Sequence, residues 1–386
     1  MSAAPAPRAE DMRGALGRAG RALWAVALPY VVARAIVLGA LGMAHLVLSR
    51  THPSAPGVAV RVHQGLLAWD AGWYESIARL GYRPLGHQAL RFFPLFPLAA
   101  RALGWVIGDG PAVVLIANAG ALVGTALLFT LVRRERGEEL ARRTVWLYSL
   151  APPAFTLVLG YAEGLLLVFT TACFLCLRPG PGRAPRFAWA ALFGFAAALT
   201  RPLGVLLLAP IAVEGWRHWR TSSASGRGAI ALALGGPIAG MATFLGWSAG
   251  VDGDFFLPLR VQTESGHHGG LSDPITTIEH DAKGVLHHHF GTALHVPWVV
   301  LVVVLVVVVW RTLPVAYGAF SSAVVLVALS GTNLDSFERY ALSAFPLVIV
   351  GAMGLASRRV ERAVLTLAAA GIFAYALLAF LNLSVP

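Results

Sequence analysis

Lysine is almost missing from this chain. Of 30 basic side chains only Lys283 is a lysine, and the other 29 are arginines. Charge of either sign is scarce: 13% of residues are charged and 57% are hydrophobic, against roughly 25% charged in soluble domains. That scarcity excludes a soluble globular protein, and no stretch is polar enough for long enough to make a separate soluble domain. Cysteine is scarce too. Cys173 and Cys176 form one C-x-x-C inside an apolar run, which excludes a disulfide framework and lacks the second ligand pair of a zinc site. Their expected role is packing within a membrane helix. No H-E-x-x-H occurs, and the D-x-D-like "DGD" of 252–254 falls on a loop. No basic domain carries interleaved aromatics, so nucleic-acid binding is excluded. The first apolar run is too long for a signal peptide and shows no clear cleavage site.

What is present is a series of apolar runs close to the ~20 residues that cross a bilayer as a helix. The fold class expected is an all-α polytopic membrane protein. The net charge of +11 comes from arginines gathered in short loops between these runs, which suits the positive-inside rule. Residues 1–21 read as a cytoplasmic tail and 22–386 as a single transmembrane domain. Arg13, Arg18 and Arg21 precede the first crossing, 22–48, which runs outward and leaves 49–91 as an external loop. The loop "RRERGEELARR" (133–143), with five arginines, returns the chain to the inside. One crossing, 112–132, then fits between them, and the proline-broken 92–108 becomes re-entrant or interfacial, an irregularity tolerated only against protein or a wet cavity. Runs 144–177 and 187–213 each lie between basic loops, so each must cross and return as two short halves. Glu163 and Arg201 stand at their outer tips. Crossings at 229–249, 294–310, 314–331, 341–357 and 363–383 follow, with a second external loop at 250–293. The total is about eleven.

An ionisable group at membrane depth is costly and marks function by default. Asp70, Glu163 and Arg201 are all placed on the outer side by topology, as is the segment holding Glu338, Arg339 and Tyr340. Asp70, in "LLAWDAGWYESIARLGY", admits two readings. It could cap a juxtamembrane helix, with Trp69 and Tyr74 as a hydrophobic staple and Trp69, Trp73, Ile77 and Leu80 as its apolar stripe. It could instead be a general base whose pKa is raised by partial desolvation. Trp69, Trp73, Tyr74 and Tyr82 could stack on a sugar ring or anchor at the interface. Arg91, beside "FFPLFP", could meet a phosphate or a lipid headgroup. The histidines of 267–289 read as a solvated or acceptor-binding loop, with no metal site assigned.

The stretches "AWDAGWYESIARLGY" and "RFFPLFPLAARAL" resemble the PIG-V, or GPI mannosyltransferase 2, family and its bacterial relatives in the GT-C superfamily of polytopic glycosyltransferases. "SLAPPAFTLVLGYAEGLLL" is similar to the family's Tyr-x-Glu tip and "ALTRPLG" to its A-x-R-x-x-G turn. The likeness spans roughly 60–214 and fades afterwards. It implies a GT-C-like fold and an inverting transfer from a lipid-phosphate sugar, polyprenyl-phosphate mannose being usual, without a metal cofactor. The family's key acidic residue falls on Asp70, in an extracytoplasmic loop of the cell membrane. Its partners would be that donor, a lipid, glycan or protein acceptor, and membrane lipid. The leaving phosphate needs cationic support, for which Arg201 and Arg339 are the candidates. Glu163 would orient the acceptor or hold an arginine, and Tyr161 and Tyr340 join the substrate-binding set. The rival classes are a transporter, which would want inverted repeats and charges at mid-depth, and a non-catalytic scaffold of cell-envelope assembly. The catalytic reading demands that Asp70, Glu163, Arg201 and Arg339 converge.

Overall fold

The computed structural model describes residues 9–51, 56–180, 182–264, 270, 272–279, 295–355 and 357–383. Among them α-helices follow one another, joined by 3-10 turns, with no strand. Five helices are long and apolar enough to cross a membrane: α1 (Ala9–Thr51, apolar over Ala19–Arg50), α5 (Asp109–Arg136), α10 (Ala224–Asp252), α12 (His295–Thr312) and α16 (Arg358–Phe380). Four apolar helices are shorter: α4 (Leu95–Ile107), α7 (Glu163–Leu177), α8 (Phe187–Thr200) and α13 (Val315–Leu329). The chain is thus an all-α, membrane-embedded protein.

Lengths explain the short elements. At 1.5 Å per residue α4 spans about 20 Å, well short of the ~30 Å hydrocarbon core, and it exposes Trp105 and Val106. This fits the interfacial or re-entrant role expected of 92–108. Runs 144–177 and 187–213 are each two half-helices around a break, as expected. In the first, α6 (Glu138–Leu150) ends before Pro152, a 3-10 turn covers Pro152–Leu157, and α7 begins at Glu163. In the second, α8 stops at Thr200 and a 3-10 turn over Pro202–Leu207 leads into α9 (Leu208–Trp219). Proline cannot continue the hydrogen-bond ladder, so each break falls where a proline stands.

Helix α5 is the hub. About 56% of its apolar window is buried, against 17% for α12, which presents Val300, Val303, Val304 and Val307 outward. The α5–α7 contact is made by glycine on both sides. A Cβ on Gly164 would lie 2.6 Å from the Ala121 nitrogen, and one on Gly120 would lie 2.8 Å from the Leu165 nitrogen. Helices α8 and α10 approach in the same way, Gly194 against Pro237 and Gly236 against the Ala191 carbonyl. Lipid supplies no hydrophobic drive between helices, so close backbone approach at small residues holds them together.

Residues 9–21, within the expected cytoplasmic tail, are helical and continuous with α1, as the alanine, arginine, methionine and glutamate there favour. The segment expected as an external loop, 49–91, carries short helices, α2 (Pro56–Gln64) and α3 (Asp70–Leu80). Of the expected interfacial stripe Trp69, Trp73, Ile77 and Leu80, only Ile77 is buried within the protein. The buried face of α3 is Ala71, Tyr74, Ile77 and Ala78, packed on Phe92, Phe96 and Ala100, while Leu80 is 47% exposed. The remaining elements at this end are α11 (Leu257–Arg260), α14 (Phe337–Ser343) and α15 (Phe345–Met353).

Candidate functional site

Asp70 is the first helical residue of α3, and it does not cap the helix. The cap position is Trp69, with φ 61° and ψ −127° and no side-chain capping hydrogen bond. A bulky residue in that region is strained and persists only when its surroundings over-determine it. Trp69 is fixed twice: its indole N–H donates to the Ala379 carbonyl at 3.0 Å, and Arg61 lies 4.0 Å over its ring. One face of the ring and the indole N–H are therefore occupied. The kink at Trp69 aims Asp70 at α14, which itself starts from a left-handed residue, Ser336, at φ 64°.

The four charges converge. Arg339 Nη1 donates to Asp70 Oδ2 at 2.6 Å, across 269 residues of chain. Arg339 Nε stands 3.5 Å from Glu163 Oε1, and that same oxygen pairs with Arg201 Nη1. The order Asp70–Arg339–Glu163–Arg201 alternates in sign and sums to zero. The side chains of Arg339, Glu163 and Arg201 are 7%, 6% and 10% exposed, and that of Asp70 is 28% exposed. Glu163 stands at the N-terminal end of α7, where a carboxylate is favoured by the helix dipole. Its Oε2 is buried without a hydrogen-bond partner among the described residues, beside a cavity of about 10 Å³ also lined by Arg339 and Thr170.

Aromatic residues wall the network. Tyr161 Oη accepts from the Asp70 backbone N–H at 3.4 Å, and its ring lies 5.4 Å from the Arg339 guanidinium. The Tyr340 ring has both Arg201 and Arg339 at 5.4 Å. Tyr74 is buried edge-on against Phe92 and Phe96. It is core, with no ring face open for a sugar. Trp73 stacks on Phe92. Tyr82 packs against Phe244 and Trp247. Arg91 lies in a 3-10 turn, His87–Arg91, near enough that the Asp70 carboxylate acts on it against the burial that lowers its pKa. Its Nε is buried with no hydrogen-bond partner among the described residues. Gln262 donates to the Arg91 carbonyl at 2.8 Å, which holds the turn in place.

Electrostatics overturn one expectation. Burial does push the Asp70 carboxyl up, but the attraction of Arg339, its hydrogen bond, and the charges of Arg201 and Arg91 outweigh that, and the pKa falls below the usual carboxylate value. Asp70 is a stably ionised carboxylate, with a lowered and not a raised pKa.

Some residues of consequence gave less signal. Arg34, within the apolar span of α1, donates from Nε to Asn118 Oδ1 at 3.0 Å and from Nη2 to the Leu157 carbonyl at 2.9 Å. Asn118 in turn donates to the Val158 carbonyl at 2.9 Å. The pair thus satisfies carbonyls freed where the α6–α7 hairpin breaks. The sign was legible: a lone arginine within a membrane-length run. Glu338 pairs with His295 at 2.7 Å, not with either arginine of the site. Among the described residues no group of three or more His, Cys, Asp or Glu could hold a metal. The histidines at 267–268 and 287–289 lie outside the described residues. Neither a family model nor a curated protein sequence matches this chain. The class defined by fold and site is therefore a helical membrane protein with a buried, charge-balanced network at one end of its bundle.

Proposed function

We propose that this is a polytopic membrane glycosyltransferase of the PIG-V-like, GT-C type, with about eleven crossings once half-helices are counted, and with Asp70 facing the extracytoplasmic side of the cell membrane. It moves a sugar, mannose in the first instance, from a polyprenyl-phosphate donor to an acceptor hydroxyl with inversion. One observation carries the reading. Asp70, Glu163, Arg201 and Arg339, scattered over 269 residues, meet in one buried network, and Arg91 beside them adds an uncompensated positive charge. Four costly charges and a strained Trp69 are more than a packing role requires.

In this reading the acceptor oxygen attacks the anomeric carbon from the face opposite the lipid phosphate. Its proton passes to Asp70, a C–O bond forms, and the bond from carbon to phosphate oxygen breaks, with its electron pair leaving on the phosphate. The leaving group is already a stable anion, so one carboxylate suffices; the oxocarbenium-like character is that of glycoside hydrolysis without its second acid. Arg91, Arg201 and Arg339 stabilise the phosphate charge, a task suited to planar, always-charged guanidinium groups. Arg339 holds Asp70 in the resting network, so an arriving phosphate that takes Arg339 also releases the base. Glu163 keeps Arg201 oriented.

The test is sugar transfer in washed membranes supplied with labelled polyprenyl-phosphate mannose, comparing wild type with Asp70→Asn at matched protein level. General-base loss predicts a fall of about 10²–10⁴-fold. Equal product from both proteins sinks the assignment of Asp70. No product from either removes mannose as the sugar and sends the test to polyprenyl-phosphate glucose and arabinose.

A further inference from the structure

A cavity of about 740 Å³ lies at the opposite end of the bundle from Asp70. It is about 20 Å along α7 from Glu163, by the helical rise. Its wall carries Arg134 and Arg136 from the end of α5, Arg178 just past α7, Arg183 on the next loop and Arg217 on α9. Two glutamates, Glu135 and Glu214, also line it, which leaves three net positive charges, His218 being counted neutral. Arg178 bridges both glutamates at close range: its Nε lies 2.7 Å from Glu135 and its Nη1 lies 2.9 Å from Glu214. Arg217 reaches Glu214 only at 3.8 Å. Arg134 meets the Arg178 carbonyl and Arg136 the Thr312 carbonyl, while Arg183 has no carboxylate within ion-pair distance among the described residues.

Arginines of the positive-inside rule need only reach the headgroup layer. These instead line a concave wall whose rigid centre, Glu135–Arg178–Glu214, is a built ion triad with Glu214 at 3% exposure. The C-terminal ends of α5, α7 and α9 meet at the cavity and repel anions, so the arginine surplus is what would bind one. We propose that this cavity is a second site, for a phosphate group, either on a phospholipid headgroup at the interface or on a soluble phosphate. Arg183, with no carboxylate partner among the described residues, and Arg217, held only by its long 3.8 Å pair with Glu214, are its ligating arms, and Arg134 and Arg136 supply background charge. Planar guanidinium forks match phosphate oxygens two at a time. The site is independent of any sugar transfer at Asp70.

The experiment is thermal unfolding of the purified full chain. One arm titrates inorganic phosphate in neutral detergent at constant ionic strength. The other compares nanodiscs of phosphatidylcholine alone with an equimolar mixture of phosphatidylcholine and phosphatidylglycerol. Wild type is expected to be stabilised in at least one arm. The double variant Arg183→Gln/Arg217→Gln is expected to bind the same probe more weakly, by about tenfold for each charge-assisted hydrogen bond lost. Arg183→Lys/Arg217→Lys keeps the charge, controls for folding, and is expected to keep much of the effect. A response to phosphatidylglycerol alone assigns a lipid headgroup; a response to inorganic phosphate alone assigns a soluble ligand. No stabilisation of wild type in either arm, or equal responses from wild type and the glutamine variant, overturns the site.

Discussion

If the network is one electrostatic unit, removing Arg339 must cost more than removing Asp70, and removing both must cost less than the sum. Arg339 is 7% exposed and touches two carboxylates. Arg339→Gln leaves Glu163 paired with Arg201 and Asp70 with only the less direct attraction of Arg201 and Arg91. Stranding a buried charge in this way costs about 3–5 kcal/mol. Asp70 is 28% exposed, so Asp70→Asn, which strands part of one arginine, is screened and costs about 1–2 kcal/mol. The double variant restores neutrality, and the coupling should reach about 2–3 kcal/mol, the upper range for contacting pairs. The assay is reversible unfolding in mixed micelles for all four proteins. Additivity within about 0.5 kcal/mol would mean that the 2.6 Å contact carries no energy, and the network would lose its standing as a unit.

The same variants carry a pH signature with a definite sign. In wild type the Asp70 pKa is lowered. Its contribution to stability is then fully present above the unfolded value of about 3.9 and is lost only as pH falls through the still lower folded value. Wild-type stability should not vary through Asp70 between neutral and mildly acidic pH. In Arg339→Gln the main opposing influence is gone and burial dominates, so the folded pKa lies above the unfolded one. Stability then falls as pH rises between the two values. The deficit of Arg339→Gln should be smaller near about pH 4.5 than near about pH 7.5. A deficit that does not change with pH would show that Asp70 is not the group left stranded.

Two further predictions concern the frame. Gly164→Ala places a Cβ 2.6 Å from the Ala121 nitrogen and must push α7 off α5, at about 1–3 kcal/mol by thermal or denaturant unfolding; Gly228→Ala, with open space around it, should be neutral or mildly stabilising. Arg34→Met leaves the Leu157 carbonyl and Asn118 Oδ1 without their donor. It should cost about 1–3 kcal/mol for each orphaned group, and hydrogen exchange should rise first at 157–162.

Much of this arrangement could be read before any coordinates, and for one physical reason. Charge in an apolar segment is so costly that its position is informative, which is why Glu163, Arg201 and Arg339 stood out and why they meet. The breaks within 144–177 and 187–213 were legible because each run lies between basic loops and so must cross and return; proline alone does not mark a break, since Pro29 and Pro237 sit inside α1 and α10. What the chain did not disclose were partnerships. Glu163 and Glu338 were equivalent candidates for the arginines, and only the fold directs Glu163 to Arg201 and Arg339 and Glu338 to His295.

Asp70 shows where local reading fails. Its setting, an acidic residue ahead of an apolar helical stripe, is that of an N-cap, and local propensity gives no ground to place it one residue further in. The position is decided by Trp69, whose hydrogen bond to Ala379 spans 310 residues and holds a backbone conformation that tryptophan rarely adopts. The sign of the Asp70 pKa shift fails for the same reason. Desolvation can be inferred from hydrophobic neighbours in sequence, but the arginine that outweighs it arrives from the far end of the chain. Where a site is built from long-range contacts, the sequence locates the costly groups, and only the fold says which cost each one offsets.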